Sequence, residues 1–163
     1  MAELYDIIEA TFEAFLASYE RAVKDSDPKQ LLTVLAPTCV RRVYPVQFVK
    51  DMGQPGVEEM DNESYLQHMG PELAVMEDGR CEIKSLCIDT TRKTAMGRVD
   101  HHCKLPQTEW MTIEFVWQLD FEEDGKTVKA IAEILDCHGI TKFVGAVQQL
   151  MATQAAVSSA THQ

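Results

Sequence analysis

The chain has 163 residues, 45% of them hydrophobic and 25% charged, which is typical of a single globular domain with a sizeable core. Its formal net charge of -11 argues against nucleic acid and anionic membranes as partners, because both bind clustered lysine and arginine. The acidic start MAELYDIIEA has no apolar signal region, and no run is long enough to span a bilayer, so we expect a cytoplasmic protein. Five cysteines without a CxxC pair indicate free thiols.

The first part of the chain is predicted to be helical. Apolar residues recur at helical spacing over 3–24, which predicts a long amphipathic helix. Asp27 and Pro28 have the chemistry of an N-cap and a first helical turn. We therefore expect a short second helix that reaches Pro37, followed by a strand over 39–44.

The segment 45–60 is predicted to be a long connection, because it contains two prolines and two glycines. Its length indicates a lid over a pocket, with partial disorder as the alternative. Asp61 and Asn62 then predict the cap of a third helix over 63–76. The dipeptide Gly70-Pro71 is expected to kink or break this helix.

The second half of the chain predicts a sheet. The four candidate strands are 81–89, 93–105, 109–121 and 127–136. Turn sequences at 89–92 and at Asp124-Gly125 join these strands closely, which indicates an antiparallel meander. A last helix over 140–151 completes one domain over 1–152, with a flexible tail over 153–163. Helices followed by a bent antiparallel sheet predict an α+β fold, in which the first helix covers a cone-shaped cavity.

Strand alternation indicates which side chains enter that cavity. One face of the strand 109–121 is apolar and is expected to point inward; it carries Met111, Ile113, Phe115, Trp117 and Leu119. Glu133 shares a face with Ile131 and Leu135, so we expect it inside as well, the alternative being a solvent-exposed carboxylate. A one-residue bulge would reverse either assignment.

Ionisable groups at the cavity are the candidates for catalysis. Burial among apolar side chains would raise the pKa of Glu133, which suits proton transfer near neutral pH. Arg41 and Arg42 point in opposite directions, and we expect Arg41 inside, where it would stabilise developing negative charge. Arg98 and Asp100 share a face and form either an orienting ion pair in the cavity or a surface pair.

The remaining candidates are histidines and aromatic residues. His101 and His102 point in opposite directions, so we expect one imidazole inside and assign His102 as a second acid–base group. No clean set of metal ligands is visible, and we expect neither a metal nor a cofactor. A wall for a small hydrophobic polycyclic ligand is predicted from Tyr19, Tyr65, His68, Phe15, Met111, Phe115 and Trp117. For the two tyrosines, a purely structural place in the core is the alternative.

Over residues 4–150 the chain resembles the nuclear-transport-factor-like, SnoaL-like superfamily, which includes SnoaL-type cyclases, limonene epoxide hydrolase, scytalone dehydratase and ketosteroid isomerase. The likeness rests on the order of elements and on LASYERAVKDSDPKQLLTVLAPTCVRRVYP and TVKAIAEILD. Two further stretches, DNESYLQHMGPELAVM and FVWQLDFEEDGKTVKAIAEILD, are similar to small fungal natural-product isomerases and cyclases. Those proteins act on polyketide, meroterpenoid or indole-alkaloid intermediates.

The resemblance implies site residues. Arg98-Val99-Asp100 matches the Arg-x-Asp pair of the epoxide hydrolase, and Glu133 matches its carboxylate on the last strand. The tyrosine and asparagine that the hydrolase carries on its first strand are not matched by Arg41-Arg42-Val43, which places water activation in doubt.

The function that follows is a cofactor-free isomerase or cyclase, in which Glu133 and Asp100 move protons and Arg41 polarises a carbonyl or holds an anion. The alternatives are a dehydratase or epoxide hydrolase of the same fold, and a non-catalytic ligand-binding or scaffold protein. The resemblance also implies a homodimer through the outer face of the sheet, to which Val99, Cys103, Val116 and Ile134 would contribute.

Overall fold

The computed structural model of the chain describes residues 2–54 and 56–160. The first helix, α1, spans Ala2–Asp25 and confirms the predicted amphipathic helix. Its apolar stripe faces the sheet, and Ile8, Phe12 and Phe15 are fully buried there. Burial of this stripe, rather than helix propensity alone, stabilises a helix of this kind.

A short 3₁₀ helix, Pro28–Leu32, follows α1. Asp27 is its N-cap, as predicted, and its carboxylate accepts a hydrogen bond from the Lys29 backbone N–H at 3.0 Å. The helix ends earlier than the predicted Pro37, because strand β1 already begins at Leu35 and runs to Tyr44. Leu35 pairs with Val128 across the sheet, so strand pairing replaces the expected helical turn.

The segment 45–60 contains two short elements. Helix α2 spans Val46–Asp51, and strand β2, Glu59–Met60, pairs antiparallel with β1. Helix α3 spans Asn62–Val75, and its N-cap is Asp61, whose carboxylate accepts a hydrogen bond from the Ser64 N–H at 2.8 Å. The helix continues through Pro71, so the break expected at that residue is not observed.

Four long strands form the predicted antiparallel meander: β3 (Asp78–Asp89), β4 (Thr94–Lys104), β5 (Met111–Phe121) and β6 (Val128–Leu135). The six strands form one sheet in the order β2-β1-β6-β5-β4-β3. The pairing of β1 with β6 is parallel and is the one departure from an antiparallel pattern among the described pairings. It places Val43 opposite Glu133, which brings the first strand beside the last one.

The inner face of the sheet carries the core. On β5 it presents Ile113, Trp117 and Leu119, each at most 2% exposed, and α1 lies against it. The last helix, α4, spans Cys137–Ala160 and packs against β5 and α3. It extends past the predicted end at residue 151 into the expected tail, of which 161–163 lie outside the described residues. Across the described ranges, no helix combines the length and apolar character needed to cross a membrane.

Candidate active site

A cavity of about 120 Å³ lies between the inner face of the sheet and the helices α1, α3 and α4. This is far more than the roughly 15 Å³ that a single water needs, so the space admits a ligand of several heavy atoms. Most of its lining is apolar and includes Leu73, Ile113, Phe115, Trp117 and Phe143. The segment 45–60 contributes Val49 and Met60 to the lining, which agrees with its predicted place over a pocket.

A buried ion pair lies at the sheet end of the cavity. The Arg41 Nη1 donates to Glu133 Oε2 at 2.8 Å, and the two side chains are only 3% and 14% exposed. Arg41 comes from β1 and Glu133 from the neighbouring β6, where Val43 is the backbone partner of Glu133. The predicted inward direction of both side chains is confirmed, because Arg41 shares its face with the buried Cys39 and Val43, and Glu133 shares its face with the buried Ile131.

Two tyrosine hydroxyls extend this ion pair into a hydrogen-bonded chain. Arg41 Nη1 also donates to the Tyr19 hydroxyl at 3.1 Å, and the hydroxyls of Tyr19 and Tyr65 lie 2.7 Å apart. The Arg41 guanidinium stacks on the Tyr65 ring, with 3.6 Å between Cζ and the ring centroid. Tyr19, Tyr65 and Glu133 all line the cavity, and Arg41 lies behind them.

The position of Arg41 changes its expected role. Arg41 is not among the residues that line the cavity, so the predicted direct contact with a substrate carbonyl is not supported. Its second nitrogen, Nη2, is buried and makes no hydrogen bond with any described residue. A buried donor without a partner is costly, so this arrangement is more typical of a functional centre than of a stabilising ion pair.

Burial and the Arg41 charge have opposite effects on the pKa values of the acidic groups in this hydrogen-bonded chain. Burial raises the pKa of Glu133, and the neighbouring guanidinium offsets part of that rise. Burial also raises the pKa of Tyr19 to about 12 and that of Tyr65 well above its usual value, so both hydroxyls stay protonated. This hydrogen-bonded chain therefore contains one carboxyl that can exchange a proton and two hydroxyl groups that can donate or relay one.

His101, and not His102, is the histidine of the inner face. Its Nε2 accepts a hydrogen bond from Trp117 Nε1 at 3.1 Å, so the ring proton lies on Nδ1, 3.6 Å from the Cys81 sulfur. Burial, with the charges of His102 and Arg41, lowers the pKa of His101 to about 3. The imidazole is therefore neutral and fixed in orientation, which suits a hydrogen-bonding wall better than an acid.

Glu72 is a cavity residue that the sequence prediction missed. It lies on α3 at spacings of seven and four from Tyr65 and His68, two predicted residues that also line the cavity. Burial, reinforced by the charge of Glu133, raises the pKa of Glu72 to about 7. The helical spacing that it shares with these two residues was the available signal.

Three predicted catalytic residues lie on the opposite face of the sheet. The Arg98 guanidinium is exposed and lies 3.8 Å from Glu114, and Asp100 lies 3.8 Å from Lys84. His102 borders the cavity, but its imidazole contacts Thr112 at 2.9 Å on the outer face. The surface alternative is therefore the one observed for Arg98 and Asp100, and His102 reaches the cavity without pointing its imidazole into it. The reason is that β4 turns its small and apolar residues inward, namely Ala95, Gly97, Val99 and Cys103.

Two predicted wall residues do not reach the cavity. Phe15 is fully buried behind Tyr19 and Trp117, with ring centroids 5.5 and 5.2 Å away, and so supports the wall from inside the core. Met111 is half-buried and packs against the core cluster without lining the cavity. Phe115 and Trp117 do line it, as predicted.

The predicted dimer face is also corrected in part. Val99 and Cys103 are buried on the inner face, so they are not available at the outer surface of the sheet. Val116 and Ile134 do lie on the outer face, where they are backbone partners of each other. Homodimerisation itself stays a prediction.

One group of possible metal ligands occurs among the described residues. Single ligand atoms of Glu82, Asp100 and His102 lie within 4.8 Å of one another on the outer face. The Lys84 ammonium lies 2.9 Å from Glu82 and 3.8 Å from Asp100 and competes for the same carboxylates. These contacts engage Glu82 and one oxygen of Asp100, while Asp100 Oδ1 is buried and makes no hydrogen bond with a described residue.

The architecture is the nuclear-transport-factor-like, SnoaL-like α+β fold, as the resemblance implied. No family model and no curated protein matches the chain. Solved structures do share the fold, at sequence identities too low to indicate more than the fold.

Three of these structures illustrate the likeness. The BvnE pinacolase from Penicillium brevicompactum is 16% identical, with a TM-score of 0.74, and the match covers 91% of this chain and 99% of that one. AusH from Aspergillus nidulans is 16% identical with a TM-score of 0.66, covering 80% and 84% of the two chains. An NTF2-like protein of unknown function from Burkholderia pseudomallei K96243 is 12% identical with a TM-score of 0.58, covering 84% and 96%.

Proposed function

We propose that this protein is a cofactor-free isomerase or cyclase that rearranges a hydrophobic natural-product intermediate by acid–base catalysis. The observation that carries the proposal is the Glu133 carboxyl, which lines an apolar cavity while Arg41 holds it from behind at 2.8 Å. Tyr19 and Tyr65 extend the same hydrogen-bonded chain along the cavity wall. A carboxyl of raised pKa in an apolar site suits proton transfer near neutral pH.

Each residue of the site has a separate role in the proposed reaction. Glu133 would take a proton from the substrate and return it at another position, so that substrate and product have the same mass. One of the Tyr19 and Tyr65 hydroxyls would donate a hydrogen bond to a substrate oxygen as negative charge develops there, because the proton of the other is used in the bond between them. Arg41 would act through Glu133 and Tyr19, by fixing their positions and favouring the carboxylate form. The apolar walls would exclude water and hold the substrate in a reactive shape.

Several ionisable groups line the cavity, which favours an enzyme over a binding or scaffold protein. Tyr19, Tyr65, His68, Glu72 and Glu133 are among them. A site evolved only to hold an apolar ligand would have no need to bury these groups, because each is costly to desolvate. The fold likeness to a pinacolase adds support for a rearrangement, and the apolar lining supports a hydrophobic substrate.

A substrate panel read by mass tests this proposal. Purified protein is incubated with α-hydroxy ketones, 1,2-diols, epoxides and 1,3-diketones on bicyclic or polycyclic frames, and products are separated by chiral chromatography with mass detection. We expect a product of unchanged mass and altered retention. Glu133→Gln keeps the size of the side chain and should lower the rate by roughly 10²–10⁴-fold.

The matched control is Glu114→Gln, on the outer face of the sheet, which should leave the rate unchanged. Loss or gain of one water would assign a dehydratase or epoxide hydrolase instead. Binding of panel compounds without conversion would favour a ligand-binding protein. Full activity of Glu133→Gln would contradict the role given to Glu133.

A further inference from the structure

The helical wall of the cavity carries a second carboxyl, that of Glu72. Glu72 lies on α3 and Glu133 on β6, so the two carboxyls approach the cavity from the helical side and from the sheet. Both side chains line the same cavity, and the charge of Glu133 contributes to the raised pKa of Glu72. Glu133 is paired with Arg41, whereas no ion pair among the described residues includes Glu72.

This asymmetry sets the two carboxyls in different states. Two like charges in one apolar cavity repel each other, so the carboxyl without a cation is the one that stays protonated. Arg80 also lines the cavity, but its guanidinium is directed to Asp78 at 3.1 Å and to the Trp110 ring at 4.9 Å. Glu133 is thus favoured as the base and Glu72 as the acid.

Most other titratable groups at the cavity are unsuited to act as a neutral-pH acid, and the His102 imidazole is engaged by the Thr112 hydroxyl at 2.9 Å. Burial raises the pKa values of Tyr19, Cys81 and Cys103, and burial lowers those of His101 and His68. The charge of Glu72 also contributes to the raised pKa of Cys103, a β4 residue that lines the same cavity.

We propose that Glu72 is a second catalytic residue, which donates a proton to a carbonyl oxygen of the substrate while Glu133 removes a proton from the adjacent carbon. This rests on the proposed function and names the substrate class as an enolisable ketone. The C–H bond breaks as Glu133 takes the proton, and its electron pair forms a carbon–carbon double bond. The carbonyl oxygen takes the proton of Glu72, which gives an enol. Glu133 then returns its proton to the other face of the same carbon or, where a neighbouring double bond is conjugated with the enol, to the far end of the conjugated system. Glu72 takes back the enol proton as the carbonyl re-forms, which gives the isomer and restores both carboxyl groups.

Hydrogen–deuterium exchange of 2-tetralone, a bicyclic enolisable ketone, tests the assignment without knowledge of the natural substrate. Uptake of deuterium next to the carbonyl is followed by mass in D₂O from pH 5 to 9. Wild type should accelerate the exchange, and its rate should fall as pH rises through 7, because the acid form of Glu72 is lost. Glu72→Gln should lower the acceleration by roughly 10²-fold and remove that fall.

Glu63→Gln is the matched control, because Glu63 is an exposed glutamate in the first turn of the same helix. A ¹³C NMR titration of the glutamate carboxyls in wild type and Glu72→Gln gives a second readout, in which the Glu72 signal should titrate near 7.

Each outcome bears on one proposal. A Glu72→Gln variant with the wild-type rate and pH profile would overturn the role of Glu72, as would a Glu72 signal that titrates near the ordinary value for glutamate. No acceleration by wild type would overturn the enolisation step. Full acceleration in Glu133→Gln, with Glu72→Gln inactive, would contradict the proposed function at Glu133 and leave Glu72 as the acid.

Discussion

The two faces of one sheet carry similar charged residues in opposite environments. On the inner face, Arg41 and Glu133 form an ion pair that is almost excluded from water and is joined to two tyrosine hydroxyls. On the outer face, Arg98 and Glu114 form a looser pair with both side chains more than half exposed. Water screens the outer pair, whereas burial raises the pKa of Glu133 in the inner pair and the Arg41 guanidinium offsets part of that rise. The type of a charged residue in this sheet therefore does not indicate its role until the face on which it lies is known.

The largest expected effect comes from removal of the buried cation. Arg41→Met leaves Glu133 buried without a partner, and we expect a loss of about 3–5 kcal/mol in the free energy of unfolding. The comparison is Arg42→Met on the outer face, where the pair with Glu59 is exposed and the change should stay within about 0.5 kcal/mol. Urea denaturation measures both, and equal effects would break the comparison between the faces.

The second prediction concerns the pH dependence of stability. The pKa of Glu72 is raised from 4.5 to about 7 by burial, so the folded protein binds its proton more tightly than the unfolded chain does. The stabilising contribution of the protonated Glu72 to the free energy of unfolding is fully present below pH 4.5. It is lost as pH rises towards 7, and the total loss is about 3 kcal/mol. The lowered pKa of His101 changes the free energy of unfolding with pH in the opposite sense. The pH dependence for the whole protein is therefore the sum of both contributions.

The measurement is therefore the difference in the free energy of unfolding between wild type and Glu72→Gln, determined by urea denaturation from pH 4.5 to 7.5. The difference should change across this window, and the exposed control Glu63→Gln should show no such change. A flat difference would mean that the carboxyl of Glu72 is hydrated in the folded protein.

A smaller effect is expected from a glycine on the inner face. A Cβ at Gly97 would lie 2.5 Å from Phe12 Cζ and 3.3 Å from Leu86, in a packed part of the core. Gly97→Ala should therefore cost about 1–3 kcal/mol. Met96→Ala, at the neighbouring exposed position, should change the free energy of unfolding much less. Thermal unfolding of the two variants measures this, and equal costs would argue against close packing of α1 on β4.

The smallest effect is expected for Arg98→Gln. Its partner Glu114 lies 3.8 Å away at the surface, and exposed pairs of this kind contribute little. We expect no more than about 0.5 kcal/mol in chemical denaturation and an unchanged rate of 2-tetralone exchange. A large loss of exchange would return Arg98 to the site and favour the Arg-x-Asp correspondence.

The sequence predicted the elements well because their signals are local. The apolar face of β5, the Asp27 cap and the turn after Asp89 depend on neighbours in the chain, and each is observed. The orientation of Glu133 was also predictable, because Ile131 and Leu135 share its face. The parallel pairing of β1 with β6 and the two-residue strand β2 depend on distant contacts and were not predictable from local pattern.

The candidate site was predicted less completely. Arg98 and Asp100 were given a cavity role by a motif likeness, with a surface pair as the alternative, and His102 was chosen over His101 without a local signal. The alternating Ala95, Gly97 and Val99 indicate the opposite facing for β4. Glu72 was overlooked because an acidic residue on a helix usually faces solvent. Its helical spacing from Tyr65 and His68 was the available signal, and the packing of α3 over the sheet brings its carboxyl to the cavity.

The most direct test of the central claim compares one inner and one outer carboxyl in the same assay. Glu133→Gln and Asp100→Asn each remove one charge with little change in size, and both are measured for 2-tetralone exchange against wild type. We predict that Glu133→Gln loses the acceleration by roughly 10²-fold or more and that Asp100→Asn retains it. Retention by Glu133→Gln together with loss by Asp100→Asn would contradict the claim that proton transfer occurs at the inner face.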